Sequence, residues 1–173
     1  MSMDRRDRTS KLTIAALMAA LALIFSYIEV LIPFNFGIPG IKLGIANLVI
    51  IVALYYLGTR YALLINVIRI LIGGLLFSGV FGMLYSMAGA LLSMLVMVLV
   101  KKCGLFSVTG ASMAGGVAHN LGQLLVAAFL VSNLKIFVYF PVLVISGVVS
   151  GAVIGILAYL VLKKLPAAKH TGS

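Results

Sequence analysis

Continuous apolar runs of about 20 residues recur along the chain, broken by short stretches rich in proline, glycine or charge. The runs do not alternate polar with apolar positions, which argues against strands and predicts helices that are apolar on every face. Six spans are expected, over roughly 11–32, 43–59, 61–79, 81–100, 105–131 and 136–162. The breaks between them are PFNFGIPGIK (33–42), GTR (58–60), a glycine step at Gly79 and Gly82, KKCG (101–104) and SNLK (132–135). The organisation that follows is a tail over 1–10, one six-helix transmembrane domain over 11–162 and a second tail over 163–173.

Composition turns this pattern into a class. With 64% hydrophobic residues, 9% charged and three acidic residues among 173, too little polar surface exists to coat a water-soluble domain. The expected protein is all-α, integral to a lipid bilayer and multi-pass. The first apolar run exceeds a signal-peptide core and has no clear small-residue cleavage site, so it is expected to be a retained span. The single cysteine, Cys103, excludes a disulfide framework within the chain and a thiolate metal cluster.

Charge then sets the expected orientation. With the N-terminus in the cytoplasm, Arg5, Arg6, Arg8, Lys11, Arg60, Lys101, Lys102, Lys163, Lys164 and Lys169 lie inside, Lys42 and Lys135 lie outside, and Arg69 falls within a span. That asymmetry follows the positive-inside rule and places both termini in the cytoplasm. The net charge of +10 is thereby accounted for by topology and anionic lipid, with no nucleic-acid partner implied.

Small residues repeat at helical spacing. Ala15 with Ala19, and Ala16 with Ala20, form overlapping pairs; Gly82, Ser86, Gly89 and Ser93 form a stripe; Gly147, Gly151 and Gly155 form another. Such positions let helix backbones approach closely in lipid. Internal packing is expected of the last two. The alanines could serve either internal packing or a partner.

The polar residues within the spans carry the candidate chemistry. A charge at bilayer depth costs ~3 kcal/mol on insertion scales, so such groups face a protein interior or a cavity. Glu29, Lys42, Asn47, Asn66, Arg69, His119, Asn120 and Gln123 all fall between mid-membrane and the outer side in the expected topology. In GGVAHNLGQLL (115–125), Ser112, Gly116, His119 and Gln123 share a helix face, with glycines clearing space around it. Asn66, Arg69 and Gly73 do the same in the third span. Donors and acceptors over small residues describe a pocket wall, although an interhelical hydrogen-bond network would also use them. Glu29 and Arg69 are either an ion pair or separate ligand contacts. Lys42 and Arg69 outnumber Glu29, favouring an anionic or carbonyl-rich ligand. Asn35 and the segment Phe34 to Pro39, directly above the cluster, fit a lid.

Catalysis lacks its parts. The only aspartates, Asp4 and Asp7, lie in the N-terminal tail, so no pair exists to hold magnesium against a diphosphate. His119 and His170 are far apart in the expected topology, so no metal site or cofactor is expected, and no nucleotide motif is present. The chain is expected not to be an enzyme.

The blocks IPGIKLGIANLVIIVAL (38–54) and GGVAHNLGQLLVA (115–127) resemble the membrane family labelled Gx transporter, or heptaprenyl diphosphate synthase component I. That family is similar in turn to the substrate-binding S components of energy-coupling-factor (ECF) importers. The resemblance implies six helices in a bacterial plasma membrane and an outward pocket for a small vitamin- or cofactor-like substrate. It also implies that Ala15, Ala16, Ala19 and Ala20 dock a transmembrane coupling subunit, itself driven by a separate ATPase module. The enzyme label implies a different role, as a noncatalytic accessory in long-chain prenyl diphosphate or quinone metabolism.

Overall fold

A computed structural model describes residues 5–31 and 44–166, with side chains from residue 7 onward. All regular structure among them is helical: α1 (Arg5–Leu31), α2 (Ile45–Tyr56), α3 (Thr59–Gly73), a π-helical turn (Gly74–Ser78), α4 (Gly79–Cys103), α5 (Val108–Val131), a 3-10 segment (Leu134–Tyr139) and α6 (Phe140–Lys164). The expected lid, with Asn35 and Lys42, and the tail residues Asp4, Lys169 and His170 lie outside the described residues.

The molecule is apolar outward, and its interior combines aliphatic side chains around α2 with small and polar residues elsewhere. Leu17, Leu75, Phe81 and Phe129 are exposed, whereas the buried set is rich in alanine and glycine and includes Asn66, Arg69, Ser93 and Ser112. Such an arrangement suits lipid rather than water as the surrounding solvent. Among the described residues, four stretches are long and apolar enough to cross a bilayer: Asp7–Leu31, Thr59–Cys103, Val108–Val131 and Leu134–Lys164. Thr59–Cys103 contains both α3 and α4, divided at Gly79, whose φ of +69° a side chain would strain.

The span expected over 43–59 contracts to α2, 12 residues long. At 1.5 Å per residue it is roughly 18 Å long, short of a hydrocarbon layer of about 30 Å. Its residues Val49 to Leu54 are all buried, on every face of the helix. A helix apolar all round belongs in the centre, and α2 packs against α1 and α3 on one side and α6 on the other. Its first turn is capped from a distance: Gly44, at φ +75°, has no side chain to offer, and the Ile45 amide donates to Glu29 Oε1 of α1 at 2.6 Å. At its far end Lys101 Nζ of α4 donates to the Leu54 carbonyl at 2.7 Å and lies 4.8 Å from the centre of the Tyr55 ring.

Helices α4, α5 and α6 form the second half. A Cβ on Gly151 would stand 2.7 Å from Met113 Cα, and one on Gly155 would stand 2.6 Å from Thr109 Cα, so α6 runs antiparallel to α5 with backbones in contact. A Cβ on Gly122 would meet the Ala88 carbonyl oxygen at 2.7 Å, which fixes α5 against α4 in the same way. The α6 glycine stripe therefore serves internal packing. Pro141, without an amide hydrogen, sits in the first turn of α6, where that donor has no helical acceptor.

Candidate functional site

The C-terminal ends of α1 and α3, the N-terminal ends of α2 and α4, and the middles of α5 and α6 surround a cavity of about 160 Å³. Glu29, Asn47, Arg69, His119, Asn120 and Gln123 all line it, so six of the nine expected ligand-facing residues meet in one place. Those six come from four helices, the first and last 94 residues apart in sequence (29 and 123). The polar run HNLGQ is thus turned toward protein and cavity rather than lipid.

Arg69 organises the wall. It is 9% exposed, donates through Nη1 to Ser26 Oγ at 3.1 Å and through Nη2 to Asn66 Oδ1 at 2.7 Å, and its buried Nε–H has no hydrogen-bond partner among the described residues. Asn66 does not reach the cavity. It is buried one helical turn behind Arg69 and fixes the guanidinium, a positioning role in place of the expected contact. Ser26 in turn donates to the Ala22 carbonyl at 2.9 Å, which ties this part of α1 to the arginine.

Glu29 both lines the cavity and caps α2, accepting from the Ile45 amide while its charge is felt at Arg69. A carboxylate at a helix N-terminus satisfies an orphan amide and favours the positive end of the helix dipole. Among the described residues, the cavity's fixed charges are thus one cation and one anion, and the expected positive excess rests on Lys42. Asn47, in the first turn of α2, donates its backbone N–H to the Gly44 carbonyl at 2.8 Å.

His119 is set against α4. A Cβ on Gly89 would lie 2.9 Å from its Cε1 and Nε2, so the missing side chain at Gly89 is the space the ring occupies. Asn120 bridges to α6, donating through Nδ2 to the Leu143 carbonyl at 2.7 Å. Gln123 completes the row one turn above His119.

Several lining residues escaped the sequence reading. Ser26, Ser78, Ser86 and Ser150 all reach the cavity, and serine in an apolar helix gives no signal of its own. Ser86 lies in the stripe assigned to packing; Gly89 and Ser93 do face α5, while Ser86 opens onto the cavity. The π-helical turn Gly74–Ser78 brings Phe77 to the rim, where its ring lies 5.4 Å from that of Tyr27. A π turn inserts an extra residue per turn and often marks functional positions.

The four alanines of α1 divide between two environments. Ala15 is 5% exposed and part of the core, and Ala19 packs partly against it, whereas Ala16 and Ala20 face outward. Ala15 is therefore withdrawn from the expected docking face, because its methyl group is spent on the contact with the core.

An all-helical membrane protein with a polar cavity enclosed at one end of the bundle is the class these features define. Residues 18–161 match the family described as heptaprenyl diphosphate synthase component I, and the chain belongs to that family. No match was found among curated proteins or solved structures.

Proposed function

We propose that this chain is a noncatalytic, membrane-embedded binding subunit that holds a small, oxygen-rich molecule in the Arg69 cavity and hands it to partner proteins. The observation that carries the reading is the buried guanidinium. Two of its groups are fixed by Ser26 and Asn66, on a cavity wall that Glu29, His119, side-chain amides and serine hydroxyls complete. A guanidinium held in place on such a wall offers charge-assisted hydrogen bonds to a carboxylate, phosphate or carbonyl oxygen.

The topology we infer has six passes in a bacterial plasma membrane with both termini cytoplasmic, one of them, α2, too short to span lipid and running through the protein interior. Glu29 meets Ile45 at one end of the bundle and Lys101 meets Leu54 at the other, so α1 and α2 run antiparallel while α2 and α4 run alike. This up-and-down order gathers Arg8, Lys11, Arg60, Lys101, Lys102, Lys163 and Lys164 at the end away from the cavity, as the positive-inside rule requires. The cavity then opens toward the outside.

Such a subunit fits an ECF-type importer for a vitamin- or cofactor-like compound, with the exposed Ala16 and Ala20 on α1 as the docking strip for a coupling subunit. The family description favours a second reading, an accessory of prenyl diphosphate synthesis. Affinity capture of the intact protein from its native membranes separates them. Co-purification of a transmembrane coupling protein with an ATPase, abolished by Ala16→Trp or Ala20→Trp in a protein of unchanged helicity, supports the importer. A soluble prenyl synthase in the same capture supports the accessory. Capture of neither, after mild crosslinking, contradicts the subunit role.

A further inference from the structure

A second cavity, of about 390 Å³, adjoins the first between α4, α5, the 3-10 segment and the start of α6. Its character is different. Leu124, Ala127, Val131, Ile136 and Leu143 line it with carbon, together with the rings of Tyr85 and Tyr139. Asn120 and Gln123 belong to both cavities, so the polar and apolar spaces meet along one turn of α5. No charged side chain lines the larger space among the described residues.

We infer that the ligand is an amphiphile whose oxygen-rich head lies by Arg69 and whose apolar tail passes Asn120 and Gln123 into the cavity beside Ala127. The inference rests on the polar cavity being a binding site, as proposed above. Three features support it. The head space is small, and its wall carries the Arg69 guanidinium beside the Asn120 and Gln123 amides. The apolar space is more than twice as large, which suits a tail and exceeds what the head needs. Between them, Asn120 holds its amide against the Leu143 carbonyl, so the dividing residue is fixed in place and presents less polar surface to a passing chain.

The test uses the full chain in lipid nanodiscs and a dodecyl phosphate carrying a diazirine near its chain end, with the matching dodecanol as the uncharged comparison. On illumination, the phosphate probe is expected to label residues between Leu124 and Leu143 roughly tenfold more than the alcohol, the factor expected of one charge-assisted hydrogen bond to the head. Arg69→Gln removes that excess, and Ala127→Phe, which fills the apolar space without touching the head site, moves the label elsewhere. Equal labelling by both probes, insensitive to Arg69→Gln, means that bulk lipid alone fills the groove, and overturns the inference. Labelling that depends on Arg69 but maps to α1 or α3 leaves the polar site standing and overturns only the tail assignment. Should Arg69→Gln fail to fold, competition by excess ethyl phosphate against the probe in the wild-type protein gives the same discrimination: release of the label from 124–143 supports the inference, and its retention overturns it.

Discussion

Individual side chains in this protein carry two duties at once. Glu29 is a wall of the cavity and the N-terminal cap of a helix whose own capping position is glycine. Glu29→Gln keeps an acceptor for the Ile45 amide, whereas Glu29→Ala removes it, so the alanine variant is expected to lose about 1 kcal/mol of stability and the glutamine variant less. Reversible unfolding in mixed micelles, followed by circular dichroism, measures both. Asn66 has a single evident duty, which is to fix Arg69. Asn66→Ala leaves a buried guanidinium N–H without its acceptor and is expected to cost about 1 to 3 kcal/mol, and to weaken ligand binding without touching the ligand. An Asn66→Ala protein of wild-type stability would contradict the assigned role. For His119 the neighbour decides: Gly89→Ala places a methyl group 2.9 Å from both the ring and the His119 carbonyl oxygen and is expected to lower stability by about 1 to 3 kcal/mol, because α4 and α5 must separate to admit it.

At the scale of elements, α2 is held by buried aliphatic side chains, whereas the seam between α5 and α6 rests on backbones in contact. Gly151 and Gly155 of α6 meet the α5 backbone at distances no Cβ tolerates, so the helices must separate to admit one. Gly151→Leu is expected to destabilise the bundle by about 2 to 3 kcal/mol, while Val149→Leu, on the lipid-facing side of the same helix, is expected to be near neutral. Thermal unfolding of the two variants side by side checks this, and equal melting temperatures would refute the close-packed interface. The spacing of these glycines made the interface legible from sequence, because a period of four on a helix needs no tertiary information. The length of α2 was not legible. Hydropathy records that residues 43–59 are apolar, and an apolar run reads the same whether it spans lipid or is buried at the centre of a protein.

At the scale of the molecule, an apolar exterior surrounds an interior that is aliphatic around α2 and polar at the cavity, and Lys101 meets α2 at the end away from Glu29. Much of the site was legible for that reason: a histidine, two amides and an arginine in apolar helices have few stable places, and the cavity is where Asn47, Arg69, His119, Asn120 and Gln123 meet. What stayed hidden was relational. That Asn66 stands behind Arg69, that Glu29 reaches Ile45 16 residues away, and that Ala15 faces the core while Ala16 faces out depend on how helices rotate against one another. The same rotation yields a prediction for α1. Ala16→Trp is expected to leave the isolated protein folded, and Ala15→Trp to disrupt it; comparable melting behaviour of the two would contradict the described orientation of the helix.

The central claim is that the cavity around Arg69 and His119 holds a small molecule, and native mass spectrometry of the protein purified in mild detergent from its own host tests it most directly. The wild-type protein is expected to carry an adduct of defined mass that is absent or strongly reduced in His119→Ala, whose thermal stability is expected to stay close to wild type. An adduct of the same mass and abundance in both proteins, or none beyond detergent and bulk lipid in either, would contradict the account and leave the polar cluster as an interhelical network.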